Sequence, residues 1–598
     1  MKKRFVWAIL ACGIFSGAAT GEFVPGDLAS VGLTRIVDDT TAGNIGGHYG
    51  RDALGDNWEP YVSVLGNSTF LFESNTYAES SPGVPNTYKM RFAVAFQPVA
   101  GGPFGEGEVF FGDDGTPYRG PINTSRQEGN PGRIAGDKRP GARYFMTGGE
   151  ASPHYYPAVF GTMPPGPSYV AASRYGTVQL HSLNPTSLTQ TMSSQAFDVL
   201  QGVLGTPADT TEVSRFGGEL AALSNGNFLA VVDDKSNLVA GYRTPTAVIV
   251  KPDGTVVRSA FSIGPASYCT IWSNVAAYKG GFAVRCPQCA GGIIRFYDND
   301  GNFQGQVAMN DPAFKDGLGN TLAFLTTDRG DKSRIAAHIN SPYLFIAGHT
   351  TGGWYGSDDR AVVNVAVWDT RTRTYVAQAN VTELIPEHGG IGNDTEDFAE
   401  NWDPNTPRVA LAVDALNRVC VSFGRGIAAN QQEHVAARVL AFDPSTGAFT
   451  HLTHSFWVFI NFCPDFGNCF GINTRNPSVA MTTRQICIAA KGEINLQNQP
   501  QDGRNSPYAV NLYTVISHPD PQDDPTCSAV FGDADRDGDV DLADFGAFQA
   551  CFNGPNRAPH GGANCSCLDS DADTDVDLAD FNAFQACFNG PNRPAKCP

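Results

Sequence analysis

The chain reads as mainly β, a β-propeller of about seven blades followed by a small α-helical domain, and three observations carry that reading. Strand-like runs with Asn-Gly or Pro-Asp-Gly between them recur, as in GELAALSNGNFLAVVDD (Gly218–Asp234) followed by TAVIVKPDGTVVRSAF (Thr246–Phe261). Alternating runs joined by such turns are what hairpins in a meander look like. The unit returns about seven times at irregular spacings of roughly 45–75 residues, and repeated four-stranded meanders close most economically into a propeller. The end of the chain is different: one acidic phrase is written twice, DADRDGDVDLADFGAFQACFNGPN from Asp533 and DSDADTDVDLADFNAFQACFNGPN from Asp569.

At the N-terminus, MKKR, then FVWAILACGIF, then SGAATG have the basic, apolar and small-residue parts of a secretory signal peptide, so residues 1–21 are set apart. The apolar stretch is short of the ~20 residues that span a bilayer. Ile9-Leu10-Ala11-Cys12 is only a loose lipobox. The expected location is the cell exterior or a bacterial surface. The formal charge of −19, with no basic stretch, argues against nucleic acid or an anionic membrane as partner. Of 14 cysteines one lies in the signal, which leaves an odd thirteen where disulfides can form.

Residues 22–516 form the predicted propeller. After the Gly218–Phe261 unit the pattern recurs as VAAYKGGFAVRC with IIRFYDNDGNFQGQV, as YLFIAGHTTG with VVNVAVWDTRTRTYVAQ, and as NRVCVSFGRG with ARVLAFDPSTGAFTHL. RQICIAAKGE with YAVNLYTVI closes the series. Upstream, MRFAVAFQPVAG with EVFFGDDGTPYRG, and SYVAASRYGTVQLHSLNPTSLTQTM, are two more copies, separated by a Pro/Gly-rich insertion over 119–168. The units resemble bacterial secreted propeller repeats in which an LxxGxFxxV strand pair precedes a DxDGxxV turn. That resemblance implies fold more than activity.

Catalytic chemistry in the body is sparse at this level. No GxSxG elbow, HExxH helix or P-loop occurs. The richest stretch is VTELIPEHGGIGNDTEDFAENWDP, with Glu383, Glu387, His388, Asp394, Glu396, Asp397 and Glu400. Its carboxylates suit acid and base roles at a glycosidic bond or a metal, but the stretch reads first as a long, solvated inter-strand loop. A sialidase reading finds only half-matches to the Asp-box in DDGTPY and PSTGAFTH. Cys286-Pro-Gln-Cys289 lies between strands and reads as a structural disulfide, as do Cys463 and Cys469. FWVFINF from Phe456 reads as a buried strand, and the turns at Asp113 and Asp298 as hairpin punctuation. His451 and His454, three apart on a strand, face opposite sides and make no metal pair.

SHPDPQDDPT over 517–526 is the expected linker. Beyond it, residues 527–598 hold six cysteines: Cys527, Cys551, Cys565, Cys567, Cys587 and Cys597. Counting from Asp533, carboxylates fall at positions 1, 3, 5, 9 and 12 (Asp533, Asp535, Asp537, Asp541, Asp544), with Asp539 offering its carbonyl at 7 and Gly538 turning at 6. That is the Ca²⁺ loop of an EF-hand, in which oxygens surround a hard cation. Leu542, Phe545, Phe548 and Phe552 then recur at helical spacing until Gly554-Pro555. The second copy supplies Asp569, Asp571, Asp573, Asp575, Asp577 and Asp580, with Thr574 in place of the glycine. A β-branched residue in a left-handed conformation costs about 1–2 kcal/mol, so the second of the two Ca²⁺ sites is expected to be the weaker. Twelve aspartates face four basic side chains here, a net −8 that couples folding of the tail to the cation.

Two such loop–helix segments resemble a dockerin, and FQACFNGP at Phe548 and Phe584 resembles the cysteine-containing type on planctomycete-like secreted proteins. The resemblance covers only 527–598 and implies a cohesin-like or other cell-surface partner. Cellulosomal dockerins carry Ser-Thr at positions 10 and 11, where this chain has Leu542-Ala543 and Leu578-Ala579. The expected whole is a secreted, non-enzymatic propeller that binds a glycan or protein ligand and is tethered by its tail. The alternative is a polysaccharide-acting hydrolase or lyase delivered by the dockerin. A Ca²⁺-clamped structural cap is the third reading of the tail.

Overall fold

A computed structural model describes residues 35–37, 61–78, 88–97, 105–109, 133–139, 142–151, 175–183, 190–193, 197–198, 214–215, 219–239, 242–264, 274–286, 292–309, 311–314, 333–350, 362–381, 409–427, 432–453, 455–459, 475–494, 508–521, 531–534, 540–555, 557, 565–571, 575–590 and 593. These residues form seven antiparallel sheets of four or five strands. The innermost strands are Tyr61–Leu65, Arg133–Gly136, Leu220–Ala222, Asn274–Tyr278, Ser333–Ala336, Val409–Val413 and Arg475–Met481. Each touches the innermost strand of the next sheet, and the seventh touches the first, so the seven blades close a ring. Closure is also made by backbone pairing within the last sheet. The outermost strand of blade 7 is the N-terminal segment Arg35–Val37, paired with Tyr508–Ser517 in the register Arg35 to Tyr513.

The strands form because both faces of each blade are buried. Phe282 and Val284 of blade 4 pack toward Leu229 and Ile249 of blade 3, while the intervening Ala283 joins Ile294 and Phe296 against Leu344 and Ile346 of blade 5. One such apolar cluster fills each of the seven junctions. A strand buried on both sides reads as a continuous apolar run, which is why FAVRC and YLFIAG lack polar alternation. Turns between strands are set by aspartates that accept a backbone N–H two residues on: Asp298 from Asp300, Asp369 from Arg371, Asp414 from Leu416 and Asp443 from Ser445. At Asp298 desolvation is outweighed by hydrogen bonds from Asn302, Asp300 and Gln304, and at Asp443 hydrogen bonds from Ser445 and Thr446 act, so both carboxyls lie below the usual range.

An inner strand has an unpaired edge facing the next blade, and side chains cover it. Ser478 accepts from Val62 N (3.1 Å), Ser63 from Gly136 N (3.0 Å), and Asn274 Oδ1 from Ile335 N. At Gly136 the neighbouring strand comes so close that a Cβ would lie 2.2 Å from the Val64 carbonyl oxygen. That contact corrects one expectation: the 119–168 stretch is not merely an insertion, since Arg133–Gly136 and Tyr144–Ala151 are the inner half of blade 2. Glycines that permit the close approach are what disguised those strands. Phe456–Phe459 is the strand expected, paired with Gln432–Asp443. Cys420 and Cys487 are buried thiols whose pKa burial raises.

Two outcomes follow from this packing. Gly136→Ala forces apart two strands that cannot move independently, and should cost about 1–3 kcal/mol, read as a lowered Tm. His181 stacks on Phe145 (4.8 Å) and meets Thr147 (2.9 Å); burial lowers its pKa, and those of His338 and His518, to about 3. Unfolded histidine titrates near 6.5, so the unfolded chain takes up these protons first. Stability should be full above about pH 6.5 and fall as pH drops toward 3, by about 1.4 kcal/mol per pH unit for each histidine. Thermal melts across that window check the slope.

Candidate functional site

The inner strands converge on a channel of about 190 Å³. Alanines line it at positions 135, 221, 222, 276, 277, 336, 337, 410, 412 and 480, because converging strands leave room for little else. Charged groups stand at its ends. Where the inner strands begin, Glu219 of blade 3 is the single acidic side chain among the lining residues. Its Oε2 accepts from Asn274 Nδ2 of blade 4 (2.7 Å), and its Oε1 from the Arg334 guanidinium of blade 5. Three consecutive blades thus meet through one carboxylate. Arg334 and Glu219 are 14% and 13% exposed, enough to meet a ligand in the channel.

Past the other end of the strands, Lys138 also lines the channel. Part of its surface remains reachable, yet packing around the ammonium is dense enough that desolvation lowers its pKa to about 8. The same charge helps depress His338, on blade 5. The neighbouring carboxylate of Asp137 is taken by Arg139 (2.7 Å).

The acidic phrases build the second site. Helices α1 (Leu542–Cys551) and α2 (Leu578–Cys587) follow the two loops. The twelfth carboxylate of each loop is wholly buried and reaches back across it: Asp544 accepts from Ala534 N (2.6 Å) and Asp541 N (2.8 Å), Asp580 from Ser570 N (2.5 Å) and Asp577 N (2.8 Å). The copies then latch each other. Asn553 N and Gly554 N donate to the Val576 carbonyl (3.0 and 3.3 Å), and Asn589 N and Gly590 N to that of Val540 (3.0 and 3.1 Å). Both glycines have φ of +79°, a conformation that explains the repeated NGP. Phe548 and Phe584 pack between them at 5.1 Å, with Val540, Val576 and Leu568 buried beside them. Cys551 is bonded to Cys565, and Cys567 and Cys587 are also in disulfides.

Carboxylate oxygens of Asp569, Asp571 and Asp580 lie within 4.8 Å of one another, as do those of Asp575, Asp577 and Asp580. An all-carboxylate donor set suits a hard divalent cation, so the residues fit the metal that the loop spacing implies. Of the first loop Asp533, Asp541 and Asp544 are in place; Asp535, Asp537, Asp539, Asp573 and Thr574 lie outside the described residues. So do the Glu383–Glu400 stretch, Asp113, Cys289, His454, Cys463 and Cys469. The helical pattern needs one correction: Leu542 and Phe552 are 74% and 40% exposed, because only Phe548 and the flank of Phe545 face the other copy.

Sequence reasoning missed Glu219, Asn274 and Arg334, which are up to 115 positions apart. A signal was there: ELAA, NVAA and RIAA each place a polar residue before an apolar-Ala-Ala wall, at the mouth of the channel.

No protein-family model and no curated protein matches the chain. Among solved structures it is similar to the Trypanosoma rangeli sialidase in complex with the inhibitor DANA, at 8% identity and a TM-score of 0.31, over 77% of this chain and 55% of that one. It is similar to a mutant of that sialidase displaying trans-sialidase activity (9%, TM-score 0.35, 83% and 60% covered). A Dyadobacter fermentans protein of unknown function gives 10% and 0.34, over 79% and 97%. The chain spans little over half the length of the T. rangeli sialidases, 55% and 60%. The T. rangeli neighbours are sialidases and the Dyadobacter protein is of unknown function; the non-enzymatic body expected above finds no support among them, and that expectation is corrected. Identities and scores this low assign no activity, so an enzymatic reading has to stand on the chain's own residues.

Asp580 belongs to both acidic clusters and holds two loop N–H groups. Asp580→Asn should therefore abolish most of the stabilisation that added Ca²⁺ gives the full-length chain, seen as a lost Tm shift in a titration, while the propeller transition stays in place.

Proposed function

We propose that the protein is a carbohydrate-acting hydrolase whose body, residues 22–516, works at the mouth of the propeller channel, exported by the signal peptide over 1–21. The observation that carries this reading is Glu219, the acidic side chain of the channel wall, oriented by Arg334 and Asn274. Both neighbours donate to it, which casts Glu219 as base or nucleophile and not as proton donor. Glycoside hydrolysis needs a second carboxyl group as acid. The Glu383–Glu400 stretch, which precedes the inner strand of blade 6 in the sequence and lies outside the described residues, carries carboxyl groups of the required type. A channel of about 190 Å³ suits a chain end or a single sugar residue better than the middle of a polymer.

The tail, residues 527–598 after the linker 517–526, is read as a dockerin-like module that binds Ca²⁺ in its two loops and attaches the enzyme to a cohesin-like or other surface protein. Two acidic clusters sharing Asp580, both in the second loop, and the reciprocal latch that pairs the first loop with it support that reading. When bound, the cation would neutralise the carboxylates that otherwise repel within each loop.

Release of reducing ends from a panel of neutral and acidic polysaccharides and oligosaccharides tests the activity. Hydrolysis by the wild type, reduced at least about a hundredfold in Glu219→Gln under conditions where the variant remains folded, is the expected result. Products carrying an unsaturated sugar chromophore would mark a lyase instead, and no cleavage of any member would end the enzymatic reading.

A further inference from the structure

Among the described residues, the tail meets the propeller at a charged contact. Lys279 sits in the hairpin Tyr278-Lys279-Gly280-Gly281 of blade 4, whose backbone is fixed on both sides: Lys279 N donates to the Ser341 carbonyl of blade 5 (3.0 Å) and Gly280 N to Ser224 Oγ of blade 3 (3.1 Å). Its side chain leaves the propeller, and Nζ donates to the backbone carbonyl of Asp569 (2.8 Å), the first residue of the second acidic loop. The carboxylates of Asp569, Asp571 and Asp580 all act on this ammonium. Those three make up one of the two metal-competent clusters. Beside it stands Arg371 of blade 5, held by Asp369 Oδ2 and Tyr343 Oη (3.0 Å each), and the charge of Asp569 reaches it too.

We propose that the hairpins of blades 4 and 5 are a docking site for the chain's own second acidic loop, and that docking there and divalent-cation binding to that loop oppose each other. The reason is electrostatic. A dication at Asp569, Asp571 and Asp580 and the ammonium of Lys279 draw on the same three carboxylates and repel each other. Each therefore weakens the other by the same factor, as linkage requires. Without the cation, Lys279 and Arg371 offset the crowded negative charge, and the tail lies on the propeller. With it, the loop is neutralised from within, the contact loses its attraction, and the tail is released toward an outside partner. The inference rests on the cation reading of the tail given above. It adds the propeller as the tail's resting partner.

The test uses the full-length chain with Ca²⁺ as the probe. Lys279→Met keeps the aliphatic stem and removes the charge; Lys251→Met, on an exposed turn of blade 3, removes the same charge elsewhere. Calorimetry should show the tighter-binding change only in Lys279→Met, by roughly tenfold for a unit charge removed from a dication at about 6 Å in a water-like medium. Small-angle scattering should show the wild type expanding when Ca²⁺ is added, and Lys279→Met already expanded without it. Equal Ca²⁺ affinity in all three proteins with no Ca²⁺-dependent expansion would overturn the coupling while leaving the metal site standing. Failure of Ca²⁺ to bind any of them would overturn the metal site, and the coupling with it.

Discussion

A four-stranded blade buried on both faces has no stability of its own; it exists only between two neighbours. Every other feature of this fold depends on that constraint. It demands an apolar cluster at each junction, and seven junctions are filled. It also demands that the ring close, since an open end would expose one face of a blade to water. The strand Arg35–Val37 lends the first part of the chain to the last blade, so the two ends of the body are held in one sheet. The close approach at Gly136 and the buried Arg418, which binds Asp414 within blade 6 and the Thr483 carbonyl of blade 7, lock neighbours at fixed distances.

The same convergence that builds the ring creates the channel and restricts what can stand in it. Small side chains fill much of the wall, and the charged ones stand at the ends of the inner strands. Small polar side chains within the strands cover strand edges, as Ser63 and Ser478 do. Asn274 does both jobs, accepting from one blade with its oxygen and donating to Glu219 with its nitrogen. Structure and chemistry therefore share a residue. Lys138, at the far end, brings a cation whose protonation burial has weakened into the channel, opposite the end that holds Glu219 and Arg334.

In the tail, duplication is a solution to hydrogen bonding as much as to metal binding. The end of each helix donates to the carbonyl at position 8 of the other loop, so neither copy could satisfy its own groups alone. The buried twelfth aspartate closes each loop from within, before any cation is considered. A module this acidic attracts whatever positive charge lies near, and on this chain that is a lysine of its own propeller.

Local pattern determined a good part of this. The strand runs, the Asp-Gly turns and the acidic phrase are written over stretches of ten or twenty residues, where alternation, turn chemistry and ligand spacing are sufficient to read them. The short inner strands were harder: RIAG and SRIA have too few residues to show a period, and glycine and alanine blur what there is. The meeting of Glu219, Asn274 and Arg334 joins positions on three blades, and that of Lys279 with Asp569 joins positions 290 residues apart. No local rule encodes such distances. Which residues share a hairpin or a metal loop is decided by the spacing of neighbours in the chain. Which residues share the channel mouth, or a charge between propeller and tail, is decided only when seven blades close and set their ends side by side.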